Sequence, residues 1–344
     1  MAANPLSLDQ LALEILLEIA SNTTIVDQLC LSRTSRIFNS VATKTLYRHI
    51  ELTSFRRIFR CCTTLEKSSE AALSVRTLSF DLLGHSMMSY RGDASVFAPF
   101  FRRINAALFQ TTLLRSLILR LLHDRNGAAL HRCTFPFLGH FGSSFKDGGD
   151  FVSRHPMITN ITVLDEGLGI PTFNPAHIPS LAVFSGPAHL VPAIIPGRPV
   201  HSAKLWWPLL GFHKNNDTDS WNSPAIIRGL AQSTAPDGLM ALENLFLDWP
   251  PLLTLASLGT SLTLRGLFIR SRNIGSSAYV AFLTEFVAVL PEFKQLYELG
   301  INFLHGGEVS PQFHRDEAAD LEEEFWTIHR WVSLCPTMHA AKLD

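Results

Sequence analysis

Two rhythms of apolar residues run along the chain. The first is a short alternation, led in most cases by Leu or Val. It occurs as "VRTLSF" (75–80), "LRSLILRLL" (114–122), "ITNITVL" (158–164), "LAVFSG" (181–186), "AKLWW" (203–207), "LENLFLD" (242–248), "LRGLFIR" (264–270), "LYELGIN" (296–302) and "MHAAKLD" (338–344). Alternate side chains point to opposite faces of a strand, so each stretch predicts a strand with one buried face. The second rhythm has a helical period. "DASVFAPFFRRINAALF" places Phe97, Phe100, Phe101, Ile104 and Leu108 on one face, with Asp93 or Ser95 as a cap. "SSAYVAFLTEFVAVL" does the same with Tyr279, Phe282, Phe286 and Leu290, and Pro291 is expected to end it. "AADLEEEFWTIHRWV" stacks Leu321, Phe325, Ile328 and Val332, and the run Glu322 to Glu324 is its solvated side. Strands alternating with helices predict a parallel sheet. Residues 165–200 are rich in Pro and Gly and predict two short strands joined through "GPAHLVPAIIPGRPV".

The first fifty residues read differently. In "LALEILLEIA" (11–20) the charged residues Glu14 and Glu18 sit four apart and form one thin stripe. Almost everything else around this helix is apolar, so the pattern does not say which side faces a core. Asp9 is a plausible cap. "IVDQLCLS" forms a second apolar piece, and Ser32, Thr34 or Ser35 can cap a third helix. In that third helix Ile37 and Val41 share one face, and Phe38, Ala42 and Leu46 share the adjoining one. Three helices this short rarely hold enough core to stand alone. They must lean on the rest of the chain, on a partner, or on both.

The ordered set "LALEILLEIASNTTIVDQLCLSRTSRIFNSVATKTLYRHIEL" resembles an F-box of the kind found in large fungal families. Leu11, Glu14, Ile15, Leu16 and Ile19 match its opening helix, and Leu29 and Leu31 match the second. "LSRTSRIF" matches the turn, and Leu46 and Tyr47 match the closing aromatic. Ala12 stands where the family usually has proline, and Tyr47 where many members have tryptophan. The later strands, with Leu or Val, two residues and then alternation, resemble degenerate leucine-rich repeats. Their starts lie roughly 20 to 45 residues apart, and Asn302 is a weak trace of the repeat asparagine. The fold class implied is α/β: a short three-helix F-box over 1–52, then an irregular leucine-rich-repeat-like solenoid with a parallel β-sheet over 53–344. The family resemblance implies a Skp-type adaptor, and through it a cullin, as partners. It marks Leu11, Ile15, Leu16, Ile19, Leu29, Leu31, Phe38, Leu46 and Tyr47 as adaptor-binding candidates, some of which must be internal core.

Composition narrows the function. Of 344 residues 47% are hydrophobic and 17% charged, which describes a core-rich folded chain. Lys and Arg number 29 against 30 Asp and Glu, so no basic field exists to hold nucleic acid or an anionic membrane. Cys30, Cys61, Cys62, Cys133 and Cys335 have neither zinc-finger nor CxxC spacing and are expected as free, mostly buried thiols. The expected setting is the cytoplasm or nucleus. No nucleophile elbow and no phosphate-cradling loop occurs; "HGG" at 305–307 is read as a turn. His131, Cys133 and His140 match no standard zinc spacing. No catalytic, cofactor or metal residue is assigned. Trp206, Trp207, Trp221 and Trp249 fall at strand ends or loops and are candidates for holding a protein target. The expectation is therefore a non-enzymatic, substrate-recognition subunit of a ubiquitin ligase. The alternatives are a repeat scaffold whose N-terminal helices only cap its core, and, behind it, an α/β hydrolase-like enzyme.

Overall fold

The computed structural model describes residues 11–82, 97–121, 130, 132–144, 148–164, 177–206, 224–246, 256–257, 259, 262–272, 285–304 and 331–343. The chain groups into two units, 1–158 with 168–172, and 159–167 with 173–344.

The first unit opens with α1 (Leu13–Ser21), α2 (Ile25–Leu31) and α3 (Arg36–Leu46). It continues through β1 (His49–Leu52), α4 (Phe55–Lys67), α5 (Ser69–Ser74), β2 (Thr77–Asp81), α6 (Ala98–Gln110), β3 (Ser116–Arg120), β4 (His140–Ser143) and α7 (Gly148–Ser153). The strands pair in parallel and in chain order, with Ile50 opposite Leu78, Leu78 opposite Leu117 and Leu117 opposite Phe141. These four residues are buried together with Phe80, Leu82, Leu119 and Leu121. In β2 and β3 the period of two thus puts one row into the core and leaves the next row half-exposed. α4 packs against α6, joining Ile58, Cys62 and Leu65 to Phe100, Phe101, Ile104 and Leu108 in the buried set. The ring of Phe55 lies 4.6 Å from that of Phe100.

The second unit carries β5 (Asn160–Val163), β6 (Val183–Pro187), α8 (Val191–Ile194), β7 (Ser202–Trp206), α9 (Pro224–Ala231), β8 (Ala241–Phe246), β9 (Gly266–Arg272), β10 (Glu298–Leu304) and β11 (Ala340–Leu343). Its strands are again parallel and in chain order. Ile161, Phe184, Ala203, Leu205, Leu242, Leu267, Ile269, Leu299 and Ile301 form the buried row. On the opposite row Glu243 pairs with Lys204 at 2.9 Å and Arg270 at 3.1 Å. Phe268 approaches Gly300 closely on that row: a Cβ at Gly300 would lie 2.6 Å from the nearest atom of its ring.

Every strand expected from the alternation forms. Two more appear. β1 uses "HIEL", the end of the F-box-like stretch, and β4 uses "HFGS", where Phe141 is the only large apolar residue. The segment "GPAHLVPAIIPGRPV" joins β6 to β7 as expected, and folds back through a 3-10 turn and α8. α8 approaches α9 so closely that a Cβ on Gly229 would meet Val191 at 3.0 Å. The expected helix at 93–109 is α6, with Phe97 at its N-cap; Asp93 and Ser95 lie outside the described residues. Only the end of the 276–290 helix is described. There Pro291 sits inside a 3-10 turn over Leu290–Glu292 instead of following a regular helix end. Of the 318–332 helix only Trp331 and Val332 are described, and the buried Trp331 meets Phe286 edge-on at 6.2 Å. The "HGG" stretch, His131 and residues 211–223 lie outside the described residues.

Candidate functional site

The N-terminal helices are held by local polar chemistry. Thr24 caps α2, accepting from the Asp27 N–H while its hydroxyl donates to the Asp27 carboxylate at 2.7 Å. Ser35 caps α3 through the Phe38 N–H, so of the three possible caps this one is used. α1 begins at Ala12 with no side-chain cap, and Asp9 lies outside the described residues. The amide of Gln28, itself buried, donates to the carbonyls of Ala20 at 2.8 Å and Thr23 at 3.2 Å. It thereby ties α2 to the last turn of α1, adding to the bonds that the Ala20 carbonyl already accepts from the Thr23 N–H and hydroxyl.

These bonds decide which side of α1 points inward. Leu16 and Ala20, one turn apart, close on Val41 of α3, with Leu11, Leu17 and Phe38 packed around them. Leu16 is 2% exposed. α3 is covered on a second side by α5 and β1, and Ala42 is fully buried. That exhausts the module's core. Ile15 and Ile19 point away, at 49% and 41% exposed. On α2, Ile25 and Val26 are 69% and 68% exposed, and Leu29 is close to half exposed. Leu13 and Ile37 are also exposed.

The structure therefore sorts the nine adaptor candidates. Leu16 belongs to the internal core. Leu11, Leu31, Phe38, Leu46 and Tyr47 are half-buried. Tyr47 closes α3 as its C-cap, and burial, reinforced by Cys61, pushes its phenol above the usual range against a hydrogen bond with Thr64. Ile15, Ile19 and Leu29 are free for a partner. The residue-by-residue reading missed Leu13, Ile25, Val26 and Ile37 as surface residues. Their signal was the spacing itself, since Ile25 and Leu29 lie one helical turn apart, as do Ile15 and Ile19.

Trp206 ends β7 and is half-exposed; Trp207, Trp221 and Trp249 lie outside the described residues. Trp206 is therefore the one tryptophan of the four whose surroundings are described.

Other reactive groups are occupied in packing. Burial raises the thiols of Cys61 and Cys133 to about 11 and raises that of Cys62 further, which keeps all three protonated at neutral pH. No disulfide joins the cysteines, and Cys30 on α2 is exposed. His140 faces Ser116 at 3.1 Å. Among the described residues no group of His, Cys, Asp or Glu is placed to hold a metal ion. No helix among them is long and apolar enough to cross a membrane.

A second arrangement was missed altogether. Arg48, Arg76 and Arg115 immediately precede β1, β2 and β3, at matching positions of the sheet. An open groove of about 740 Å³ lies beside Arg48 and Arg76, between α1, α3 and α5. The signal was readable as a recurring Arg-x-Leu or Arg-x-Ile: "RHI", "RTL" and "RSL". No family model matches this chain, and no curated protein sequence matches it.

Proposed function

We propose that the chain is the substrate-recognition subunit of a cullin-type ubiquitin ligase, with α1 to α3 as an F-box that docks on a Skp-type adaptor. The observation that carries this reading is the outer apolar surface of α1 and α2. Ile15, Ile19, Ile25, Val26 and Leu29 all remain exposed after the module's own core has closed on Leu16, Ala20 and Val41. Burying one such side chain is worth about 1.5–3 kcal/mol, so a partner covering several gains a substantial driving force. The parallel strands beyond α3 support a leucine-rich-repeat-like receptor for a protein target, presented on the half-exposed row of the sheet and at strand ends such as Trp206. Ubiquitin transfer itself belongs to other subunits.

The capping alternative draws on the inner side of the same helices. Val41 and Ala42 are buried, and α3 packs on α5 and β1. A cap, however, needs only that inner side, and leaves the isoleucines of α1 and α2 without a purpose. The two roles are compatible on opposite sides of one module.

The test is co-purification of the full chain with a Skp-type adaptor, beside Ile15→Asp/Ile19→Asp. Both positions are exposed, so the variant keeps the fold and is expected to lose the adaptor. Leu16→Asp is unsuitable, since it places a charge in the core. Deleting residues 1–52 is also ambiguous, because it removes β1 and strips the edge of β2. An intact complex with the double variant, or no complex with the wild type, would sink the ligase reading.

A further inference from the structure

We propose that Arg198 holds a small planar monoanion, a monocarboxylate of the size of formate or acetate, on the free edge of its guanidinium. This does not rest on the adaptor reading. Arg198 lies in the turn "PGRPV" between α8 and β7 and is only 1% exposed. Its backbone is pinned from both sides. The Arg198 N–H donates to the Ile195 carbonyl at 3.1 Å. Its carbonyl accepts from the N–H groups of Val200 at 2.8 Å and Thr234 at 2.9 Å, and from the Ser233 hydroxyl at 3.3 Å. Gly197, just before it, takes a φ of 73° that a residue with a side chain rarely adopts. Arg198 therefore cannot swing its side chain outward without breaking the link between this turn and the segment after α9.

The side chain held inside is left unsatisfied. Nη1 reaches the Ala193 carbonyl at 3.5 Å, the outer limit of a hydrogen bond. Nε and Nη2 are buried and have no hydrogen-bond partner among the described residues. No acid stands near in sequence either: residues 177–206 and 224–234 contain no Asp or Glu. Burial alone pulls the guanidinium down to about 10, with no neighbouring charge contributing. At neutral pH it is still a cation. A buried charge without a counter-charge is among the most costly features a fold can carry. A water molecule could accept from the free N–H groups, but it would leave the charge in place.

The free edge names the ligand. Nε and Nη2 lie on one side of the planar guanidinium and direct their N–H bonds in parallel. The two oxygens of a carboxylate accept such a pair side by side. Its single negative charge cancels the single positive one. A phosphate would leave surplus negative charge in the same buried place. Chloride has the right charge but offers one acceptor centre to two parallel donors. Burial limits the size, since a side chain 1% exposed is reached only by a small ion unless the fold opens. Formate therefore fits better than acetate, and acetate better than longer carboxylates.

The experiment follows the urea midpoint of the full chain at pH 7 as sodium formate replaces sodium chloride at constant ionic strength. Sodium acetate and sodium phosphate are run in parallel. In the wild type the midpoint is expected to rise with formate and level off, as one saturable site on the folded state requires. Acetate should act the same way at higher concentration. Arg198→Met, which keeps the length without the charge, should match the wild type in chloride and ignore formate. Arg198→Lys keeps the charge but loses the paired donors, and should need about tenfold more formate for half the effect. Saturation-transfer NMR on the formate proton reads binding directly, and its signal should vanish in Arg198→Met. The comparison with Arg198→Lys decides the question even where Arg198→Met does not fold. The proposal is overturned by a wild-type midpoint that does not saturate with formate, by the same response in Arg198→Lys, or by phosphate acting at lower concentration than formate.

Discussion

Leu16 and Ile19 lie on the same helix, three residues apart, and the structure assigns them opposite fates. Replacing each by alanine turns that assignment into numbers. Leu16 is 2% exposed and packs on Ala20, Val41, Leu11, Leu17 and Phe38. Buried Leu→Ala changes cost about 2–5 kcal/mol, and the lower half applies here because half-buried Leu11, Leu17 and Phe38 can partly close the gap. A loss of about 2 kcal/mol from local stability accelerates exchange of α1 amides roughly thirtyfold. Ile19 is 41% exposed, so much of its burial gain is already absent, and alanine adds helix propensity. Its loss should stay below about 1 kcal/mol in the free chain. With adaptor bound, the same change should cost more, since the removed methyl groups then lie in an interface. Hydrogen exchange read by mass spectrometry over residues 11–47, with and without adaptor, measures all of this. If Ile19→Ala accelerates exchange in the free chain as much as Leu16→Ala does, Ile19 sits in the module's own core, and the apolar surface reasoned from here does not exist.

Other outcomes follow from single contacts. Gln28→Ala removes both amide bonds to Ala20 and Thr23 and should cost about 1–3 kcal/mol, read by the same exchange measurement. Gly300→Ala puts a methyl group against the Phe268 ring and should lower the urea midpoint by the equivalent of about 1–3 kcal/mol; Phe268→Ala in the same chain should recover most of it. His155 is buried, accepts the Phe135 N–H at Nε2 (2.9 Å) and approaches the Phe151 carbonyl through Nδ1 (2.6 Å), so it is held neutral. Its pKa is lowered by burial first and by Arg154, against the Phe151 bond, and that of His140 is lowered by burial. The folded state thus binds fewer protons than the unfolded. Its stability is complete above about pH 6.5 and declines as pH falls below that value; His155→Gln should flatten the slope in urea titrations between pH 7.5 and 5.

The strands were legible because each carries its own instruction, alternation that in most cases follows a leading Leu or Val, and neighbours need not be known to read it. β1 and β4 escaped for different reasons. "HIEL" is half polar and sits inside a stretch that reads as the end of a helical module. "HFGS" has only Phe141 to mark a period. In α1 the difficulty was an excess of signal: an apolar circumference gives no direction, and only the closure of Val41 and Gln28 on Leu16 and Ala20 selects one. The arginine row stayed hidden because its members are far apart in sequence and become neighbours only through the register of β1, β2 and β3. Trp206 shows the converse, a residue conspicuous in sequence that the described residues bring to no other candidate.

Strand order within each unit repeats chain order, and this bears on how the protein is made. Each strand of the first unit can dock on its predecessor soon after it leaves the ribosome, with no wait for a distant partner. A growing parallel sheet nevertheless presents a fresh unpaired edge after every addition. Since α3 packs beside β1 and is synthesised before it, the nascent first unit meets solvent with one raw edge at a time. The helices proposed here as a docking surface would then serve during synthesis as a starting block, and substitutions on their inner side should reduce yield before they reduce binding.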